Sequence, residues 1–142
     1  MDDHVVLVVN PGSTSTKMAL FKNEGQEHAE TLRHEACTLQ QYRNVWDQFD
    51  FRLHAVREWA FVHAQSVSAV VGIGGLLRPL PGGTYKVNER MLDDARANLQ
   101  GEHASNLGCA MAHALAREYD CDAYVVDPVS VDELEPLARY SG

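Results

Sequence analysis

The sequence has few cysteines, few basic residues and no long hydrophobic run, and each shortage excludes a class of protein. Three cysteines, far apart and without a CxxC pair, do not fit a disulfide framework or a cysteine zinc site. They fit a reducing compartment, and we expect a cytoplasmic protein. Twelve Lys and Arg stand against 20 Asp and Glu, and the formal net charge of -8 argues against nonspecific nucleic-acid binding.

No stretch approaches the roughly 18 consecutive apolar residues that a membrane span requires. The sequence starts with MDDH, which is acidic and runs directly into a strand-like segment, so we expect no signal peptide. Neither a membrane nor a nucleic acid is therefore expected as a partner. The sequence has 142 residues, of which 45% are hydrophobic. This is the size and composition of one ordinary globular domain.

The first third of the chain predicts three antiparallel strands. Residues 4–10 form a near-continuous β-branched run, typical of a strand that is buried on both faces. Residues 16–21 and 28–36 are predicted as the second and third strands. The links between these strands are too short for a parallel crossover, so the three must be antiparallel neighbours.

The rest of the chain alternates between helices and strands. A helix is predicted around residues 49–62, where Phe49, Leu53, Val56 and Ala60 form an apolar stripe that Trp59 and Val62 widen. In chain order we then expect a strand at 66–73, an irregular loop at 76–85, a helix at 89–99 capped by Asn88, a helix at 101–119, a strand at 122–128 and a short helix at 131–140. We interpret Asp132, Glu133 and Glu135 as structural acidic residues at the start of that last helix. The predicted fold class is α/β, with a mixed sheet that opens with antiparallel strands.

Three polar or glycine-rich segments follow predicted strands. They are Asn10, the run Ile73-Gly74-Gly75, and Asp127. Ligands of open α/β sheets bind beyond the carboxyl ends of the strands. The three segments therefore predict one shared cleft.

The turn between the first two strands is crowded with hydroxyl groups, in the run VVNPGSTSTKMALF. The candidate phosphate-binding residues in it are Gly12, Ser13, Thr14, Ser15, Thr16 and Lys17. Small residues expose backbone N–H groups that attract phosphate oxygens, and the hydroxyls and the lysine add donors and charge. The run is not a Walker A loop, because the second glycine and the following helix are missing. A hairpin turn with solvated hydroxyls explains the composition equally well.

Four motifs together resemble the butyrate kinases of the acetate and butyrate kinase (acetokinase) family. They are NPGSTSTK after a hydrophobic strand, GGLLRPLPGGTYKVNERML, GEHASNLG and VVDPVSVDELEPLARYSG. The resemblance implies a ribonuclease-H-like lobe of the actin, hexokinase and Hsp70 type of ATPase. It also implies ATP-dependent phosphorylation of a short-chain carboxylate, butyrate to butyryl phosphate, with ATP and Mg²⁺, by a protein that is a homo-oligomer when full length. Its small-molecule partners would be the carboxylate and the nucleotide.

The resemblance also assigns roles to residues. By position, Asn10 is similar to the family residue that helps to hold Mg²⁺, residues 12–17 to the phosphate loop, and Asp127 to the catalytic aspartate. An acid that only caps the turn before Pro128 is the alternative for Asp127. A carboxylate nucleophile needs little general base, so catalysis would consist mainly of positioning and charge neutralisation.

Three further residues are weaker candidates for substrate binding. His103 and Asn106 lie at a predicted helix start and would border the acyl or phosphate site, whereas Ser105 or Asn106 could instead only cap the helix. Arg78 lies in a loop of leucines and prolines. It would meet a carboxylate or a phosphate, or it is an ordinary exposed arginine.

Two features depart from the family pattern. Ile73 stands where an arginine is expected, as GIGG in place of GRGG. Residues 1–142 are expected to form only the amino-terminal lobe of an acyl kinase, without the second lobe that completes the nucleotide site, so the isolated chain should be inactive. A branched-chain fatty acid kinase is a close alternative. A non-catalytic remnant that weakly binds a nucleotide or a partner is a different one.

Overall fold

A computed structural model describes residues 3–140. The strands are β1 (Val5–Pro11), β2 (Ser15–Lys22), β3 (Gly25–Arg33), β4 (Ala69–Gly72), β5 (Thr84–Lys86) and β6 (Asp122–Val126). The α-helices are α1 (Ala36–Leu39), α2 (Phe49–His63), α3 (Glu89–Arg96) and α4 (Leu107–Glu118), and single 3₁₀ turns occur at Trp46–Gln48, Ala104–Asn106 and Pro136–Arg139. Met1, Asp2, Ser141 and Gly142, the outer residues of the acidic start and of the last motif, lie outside the described residues.

The six strands form one mixed sheet with the order β3-β2-β1-β4-β6-β5. The predicted antiparallel opening is confirmed, because β2 pairs antiparallel with both β1 and β3. Strand β4 pairs parallel with β1 and with β6, and the short β5 closes the far edge antiparallel to β6. Because β1, β4 and β6 run in one direction, their carboxyl ends lie side by side at one edge of the sheet.

Helices α2 and α4 cover one face of this sheet and create the core. The residues of that face alternate with outward-facing ones along each strand, as the period of two requires. The fully or nearly fully buried side chains include Leu7, Val9, Met18, Leu20, Leu53, Val56, Val70, Leu107, Met111, Leu115 and Val125. On the opposite face, Val8, Ala19, Phe21 and Val71 are only partly buried.

Two glycines allow α4 to lie almost on the backbone of β4. A Cβ at Gly72 would be 2.3 Å from the carbonyl oxygen of Gly108, and a Cβ at Gly108 would be 2.0 Å from the carbonyl oxygen of Ile73. Both contacts involve backbone, which cannot rotate away as a side chain can. The close approach therefore fixes the end of β4 against the start of α4.

Several sequence-based predictions of elements are confirmed, and others need correction. Asn88 caps α3 as expected, since its side chain accepts a hydrogen bond from the Met91 N–H. Val62 does not widen the stripe of α2, because its side chain is 74% exposed. The predicted loop before α3 contains the short strand β5, and the third and fourth strands end earlier than expected, at Arg33 and Gly72.

The predicted helix at residues 131–140 is wrong. Only a 3₁₀ turn forms, at Pro136–Arg139. Glu135 is extended, with φ -57° and ψ 146°, because the ring of Pro136 disfavours the helical region for the residue before it. The acidic residues therefore do not begin a helix: Asp132 pairs with Arg139, and Glu133 accepts a hydrogen bond from the Gly82 N–H.

Within residues 3–140, none of the helices combines the length and the hydrophobicity that a transmembrane span needs.

We expect Gly108→Ala to lower the free energy of unfolding by at least about 2 kcal/mol, since a buried methyl group would overlap backbone. Gly25→Ala is the matched control, because a Cβ there meets its nearest atom at an ordinary 3.5 Å. Urea denaturation of both variants measures the difference. Equal stability of the two variants would contradict the tight contact between α4 and β4.

Candidate functional site

The hydroxyl-rich turn is a tight β-hairpin between β1 and β2. The Gly12 N–H donates to the carbonyl oxygen of Ser15 at 2.7 Å, and Ser13 and Thr14 form the exposed tip. The hairpin lies at the sheet edge where β1, β4 and β6 end. The turn predicted from composition is therefore confirmed in place and shape.

The carbonyl groups of this hairpin accept hydrogen bonds from Arg52 and from the backbone of His34. Arg52 of α2 donates to the carbonyl oxygens of Ser13 and Ser15, at 3.3 Å and 2.9 Å, and the His34 N–H donates to that of Thr14 at 2.9 Å. Within residues 3–140, the N–H groups of Ser13 and Thr14 have no protein acceptor. Exposed N–H groups without an internal partner are available to donate to an anion.

Thr16 differs from the other hydroxyl residues because its side chain is fully buried. Its Oγ1 lies 3.1 Å from an Arg52 nitrogen, which donates to it, and 2.8 Å from His34 Nε2. The period of two along β2 directs Thr16 into the core and Lys17 to the opposite, exposed face. The Thr16 hydroxyl is thus occupied in holding the hairpin.

Asn10 and Lys17 are directly opposite each other on β1 and β2, and their side chains share the face of the sheet that α2 and α4 leave uncovered. Together with Val8 and Thr31 they line a shallow groove on that face. Asn10 is partly buried and Lys17 is exposed. The two predicted site residues are therefore brought together, with an amide oxygen and an ammonium group in one groove.

Asp127 follows β6 directly and has the left-handed backbone conformation, with φ 41°. A non-glycine residue in this region carries a backbone strain that surrounding contacts must maintain. Gly83 provides those contacts: its N–H donates to Asp127 Oδ1 at 2.7 Å, and its carbonyl accepts from the Asp127 N–H at 3.0 Å. The carboxylate is exposed, and its second oxygen has no hydrogen-bond donor among the described residues.

Ile73 directly follows β4 and lies between Asn10 on β1 and Asp127 after β6. In the register, Val9 pairs with Gly72 and Gly72 with Val125, so the ends of β1 and β6 lie on either side of the end of β4. Two strand spacings, about 10 Å, separate the ends of β1 and β6. This is the approximate width of the cleft between the hairpin and Asp127.

Arg78, one of the weaker candidates, has a partner within the protein. It forms a bidentate ion pair with Asp94 of α3. The hydrogen bond from Arg78, together with its charge, holds the pKa of Asp94 below the usual value. A carboxylate or phosphate ligand would have to compete with Asp94 for this guanidinium.

His103 caps the 3₁₀ turn that precedes α4, since its Nδ1 accepts from the Ser105 N–H at 3.1 Å. Neither Ser105 nor Asn106 makes a side-chain cap. The buried amide of Asn106 accepts from the Leu76 N–H at 2.8 Å and donates to Asn98 and to the carbonyl of Gly101. It holds the loop after β4, and both its nitrogen and its oxygen have protein partners.

Arg52 is the residue that sequence reasoning missed. Its side chain is fully buried, and Gln48 Oε1, one helical turn earlier, accepts from two of its nitrogens at 3.0 Å and 2.9 Å. No carboxylate among residues 3–140 pairs with it, and burial lowers its pKa. The sequence does contain a signal for its burial. Gln48, Arg52 and Val56 are four residues apart, so they lie on the same face as the apolar stripe of α2.

The described residues contain no group of three or more His, Cys, Asp or Glu side chains arranged to hold a metal ion. The three cysteines are free, and burial raises the pKa of the Cys109 thiol to about 11. An ion held partly by phosphate oxygens would need fewer protein ligands. Asn10 and Asp127 offer hard oxygen ligands of the kind that Mg²⁺ prefers.

Comparison with known proteins agrees with this geometry. No family model matches the chain. The chain is 52% identical over 141 residues to butyrate kinase 2 of Clostridium acetobutylicum and 51% identical over 138 residues to a probable butyrate kinase of Enterococcus faecalis. Each match covers 96% of this chain but only 39% and 38% of the relative. The chain thus spans about two fifths of the length of these relatives.

Two solved structures share the fold. Acetate kinase from Entamoeba histolytica superposes with a TM-score of 0.55 at 12% identity, over 97% of this chain and 38% of that one. A Ppx/GppA family member from Aquifex aeolicus gives 0.50 at 17% identity, over 89% and 53%. The fold is therefore an α/β lobe of the actin-like ATPase type. Over 96% of its length the chain is similar to proteins named butyrate kinase, and the resemblance seen in the sequence is confirmed.

The contact between Thr16 and His34 predicts a pH dependence of stability. Burial, and then the charge of Arg52, lower the pKa of His34. The folded state therefore favours neutral His34, and stability should be lost as the pH falls below about 6.5, the usual histidine pKa. We expect the free energy of unfolding to fall less between pH 7 and pH 5 in His34→Gln than in the unmodified chain.

Urea denaturation at the two pH values measures this change, with His54→Gln on the exposed face of α2 as the control. A pH dependence that is the same with and without His34 would show that protonation at this position does not oppose folding.

Proposed function

We propose that this chain forms the phosphate-binding lobe of a kinase that transfers the γ-phosphoryl group of ATP to a short-chain carboxylate, with butyrate as substrate. The single observation that carries the proposal is the exposed hairpin tip at Ser13 and Thr14, whose N–H groups lack acceptors among the described residues. The identity of about half the residues with proteins named butyrate kinase supports the choice of substrate. A branched-chain carboxylate is the close alternative, since only the shape of the acyl pocket would differ.

The hairpin would bind the phosphates of the nucleotide. In this proposal the N–H groups and hydroxyls of the tip donate to phosphate oxygens, and Gly12 lets the phosphate approach the backbone. Lys17 adds a positive charge on the exposed face next to Asn10. Such fixed donors stabilise charge on a transferring phosphoryl group without having to reorganise.

Asn10 would help to hold Mg²⁺ through its amide oxygen, and Asp127, with the carboxylate oxygen that Gly83 leaves free, would be the catalytic aspartate on the other side of the cleft. When bound, the ion would neutralise charge on the phosphates.

The chemistry asks little else of this chain. A carboxylate oxygen of the substrate forms a bond to the γ-phosphorus, and the bond from that phosphorus to the bridging oxygen breaks, with ADP as leaving group. The attacking carboxylate already carries its charge, so no residue has to remove a proton. The residues of the cleft would bind, align and neutralise.

The activity is proposed for a longer polypeptide, because the relatives are more than twice the length that this chain matches. Residues 1–142 would be one lobe, and the nucleotide would be enclosed by further chain. We propose that the 142 residues alone are inactive, since an open cleft leaves charges screened by water. A homo-oligomer is proposed for the full-length form.

We expect Asn10→Ala, Lys17→Ala and Asp127→Asn, each in a full-length version, to lower kcat for acyl phosphate formation by about 100-fold or more. Removing one preorganised charge-stabilising contact has an effect of this size. A hydroxamate assay measures the product.

Lys22→Ala and Asp122→Asn are the matched controls, because these residues lie on strands β2 and β6 but far from the carboxyl-end cleft. Both control variants should form acyl phosphate with an unchanged kcat. Near-normal rates for all three site variants would refute the assignment.

Ile73 gives a second test, since it occupies the middle of the cleft edge. We expect Ile73→Arg in the full-length version to raise kcat/KM for butyrate, because a guanidinium can hold a carboxylate or phosphoryl group through two hydrogen bonds. Ile73→Lys is the control, because lysine adds a charge without a planar guanidinium. We expect it to raise kcat/KM less than Ile73→Arg does. An unchanged or lower value for the arginine variant would mean that the site has adapted to isoleucine.

A further inference from the structure

We propose that Arg52 is a positioning residue that turns the Thr14 N–H at the hairpin tip outward and thereby helps to build the phosphate site. This inference rests on the proposed function. Arg52 does not reach the exposed face of the hairpin. It acts through the backbone carbonyls that it holds from the core side.

The geometry of the peptide bond makes this coupling direct. In a trans peptide the C=O and the following N–H point in opposite directions, and no described peptide is cis. When Arg52 draws the carbonyl of Ser13 inward, the N–H of Thr14 must point outward. The His34 N–H holds the carbonyl of Thr14 from the side of β3, so the N–H of Ser15 points away from β3.

The fork of Arg52 suits this task better than any other side chain would. One guanidinium donates to two hairpin carbonyls, to the Thr16 hydroxyl and to Gln48 at the same time. The five N–H groups are rigid and coplanar, so the positions of these acceptors are fixed relative to one another. A lysine ammonium at this position would keep the charge but could not satisfy acceptors spread in this way.

Charge points to the same conclusion. Arg52 is fully buried, yet it contacts neutral oxygens only and has no carboxylate partner in the described part of the chain. A buried cation without a counter-ion is costly. An anion bound at the hairpin tip, on the other side of one layer of backbone, would partly neutralise it. The same arginine therefore orients the Thr14 N–H and adds positive potential behind it.

Arg52→Lys tests the inference in the 142-residue chain, with inorganic phosphate as the probe and NMR of the backbone amides as the readout. In the unmodified chain, phosphate should shift the amide signals of Ser13, Thr14 and Ser15. In Arg52→Lys we expect binding about tenfold weaker, an effect typical of residues that orient a ligand-binding group from behind. NMR observes the folded molecules, so a loss of stability alone would not change this affinity.

Arg57→Lys is the matched control, with the same substitution on the same helix at an exposed arginine that pairs with Glu118. It should bind phosphate as the unmodified chain does. Gln48→Met is a second variant in case Arg52→Lys does not fold, since it removes the acceptor that fixes the guanidinium. We expect it to weaken binding in the same direction.

The outcomes separate the two proposals. Equal phosphate affinity in Arg52→Lys, Gln48→Met and the unmodified chain would overturn the role of Arg52 and leave the phosphate loop intact. Absence of any phosphate-dependent shift in the unmodified chain would instead contradict the proposed function, and this inference with it.

Discussion

Parallel pairing of β1, β4 and β6 places Asn10, Ile73 and Asp127 at one edge of the sheet, because the carboxyl ends of parallel strands point the same way. The other features of the site build on this constraint. The contact of Gly72 with Gly108 fixes the middle strand against α4, and the antiparallel turn back into β2 puts the hairpin at the same edge. The cleft is thus a consequence of strand direction.

Hydrogen bonds from Arg52 and from the backbone of His34 fix the conformation of the hairpin. Its tip has no side chain large enough to pack, and small polar residues would sample many conformations in isolation. Arg52 and the His34 N–H restrict it by engaging three successive carbonyls. The tip is exposed but restricted by these bonds, which would suit the proposed phosphate site, since donors that are already oriented lose little entropy on binding.

The structure also separates residues that the sequence could not distinguish. Ser13, Thr14 and Thr16 look alike in the run of hydroxyls, yet two lie at the tip and Thr16 is in the core. Arg78 and Asn106 looked available for a substrate, but a carboxylate of α3 and the loop after β4 engage them. These assignments depend on partners that are 16 to 39 residues away in sequence.

By itself the sequence determined the antiparallel opening, the α2 stripe, the Asn88 cap and the presence of a polar turn after the first strand, because local periodicity, short links and turn chemistry act over a few residues. It also carried the motifs that mark a homologue of the butyrate kinases. Only the tertiary structure decided the hydrogen bonds that Arg52 makes to the hairpin carbonyls and to the Thr16 hydroxyl. These bonds link a buried guanidinium to residues that are far away in the sequence, which no local pattern encodes.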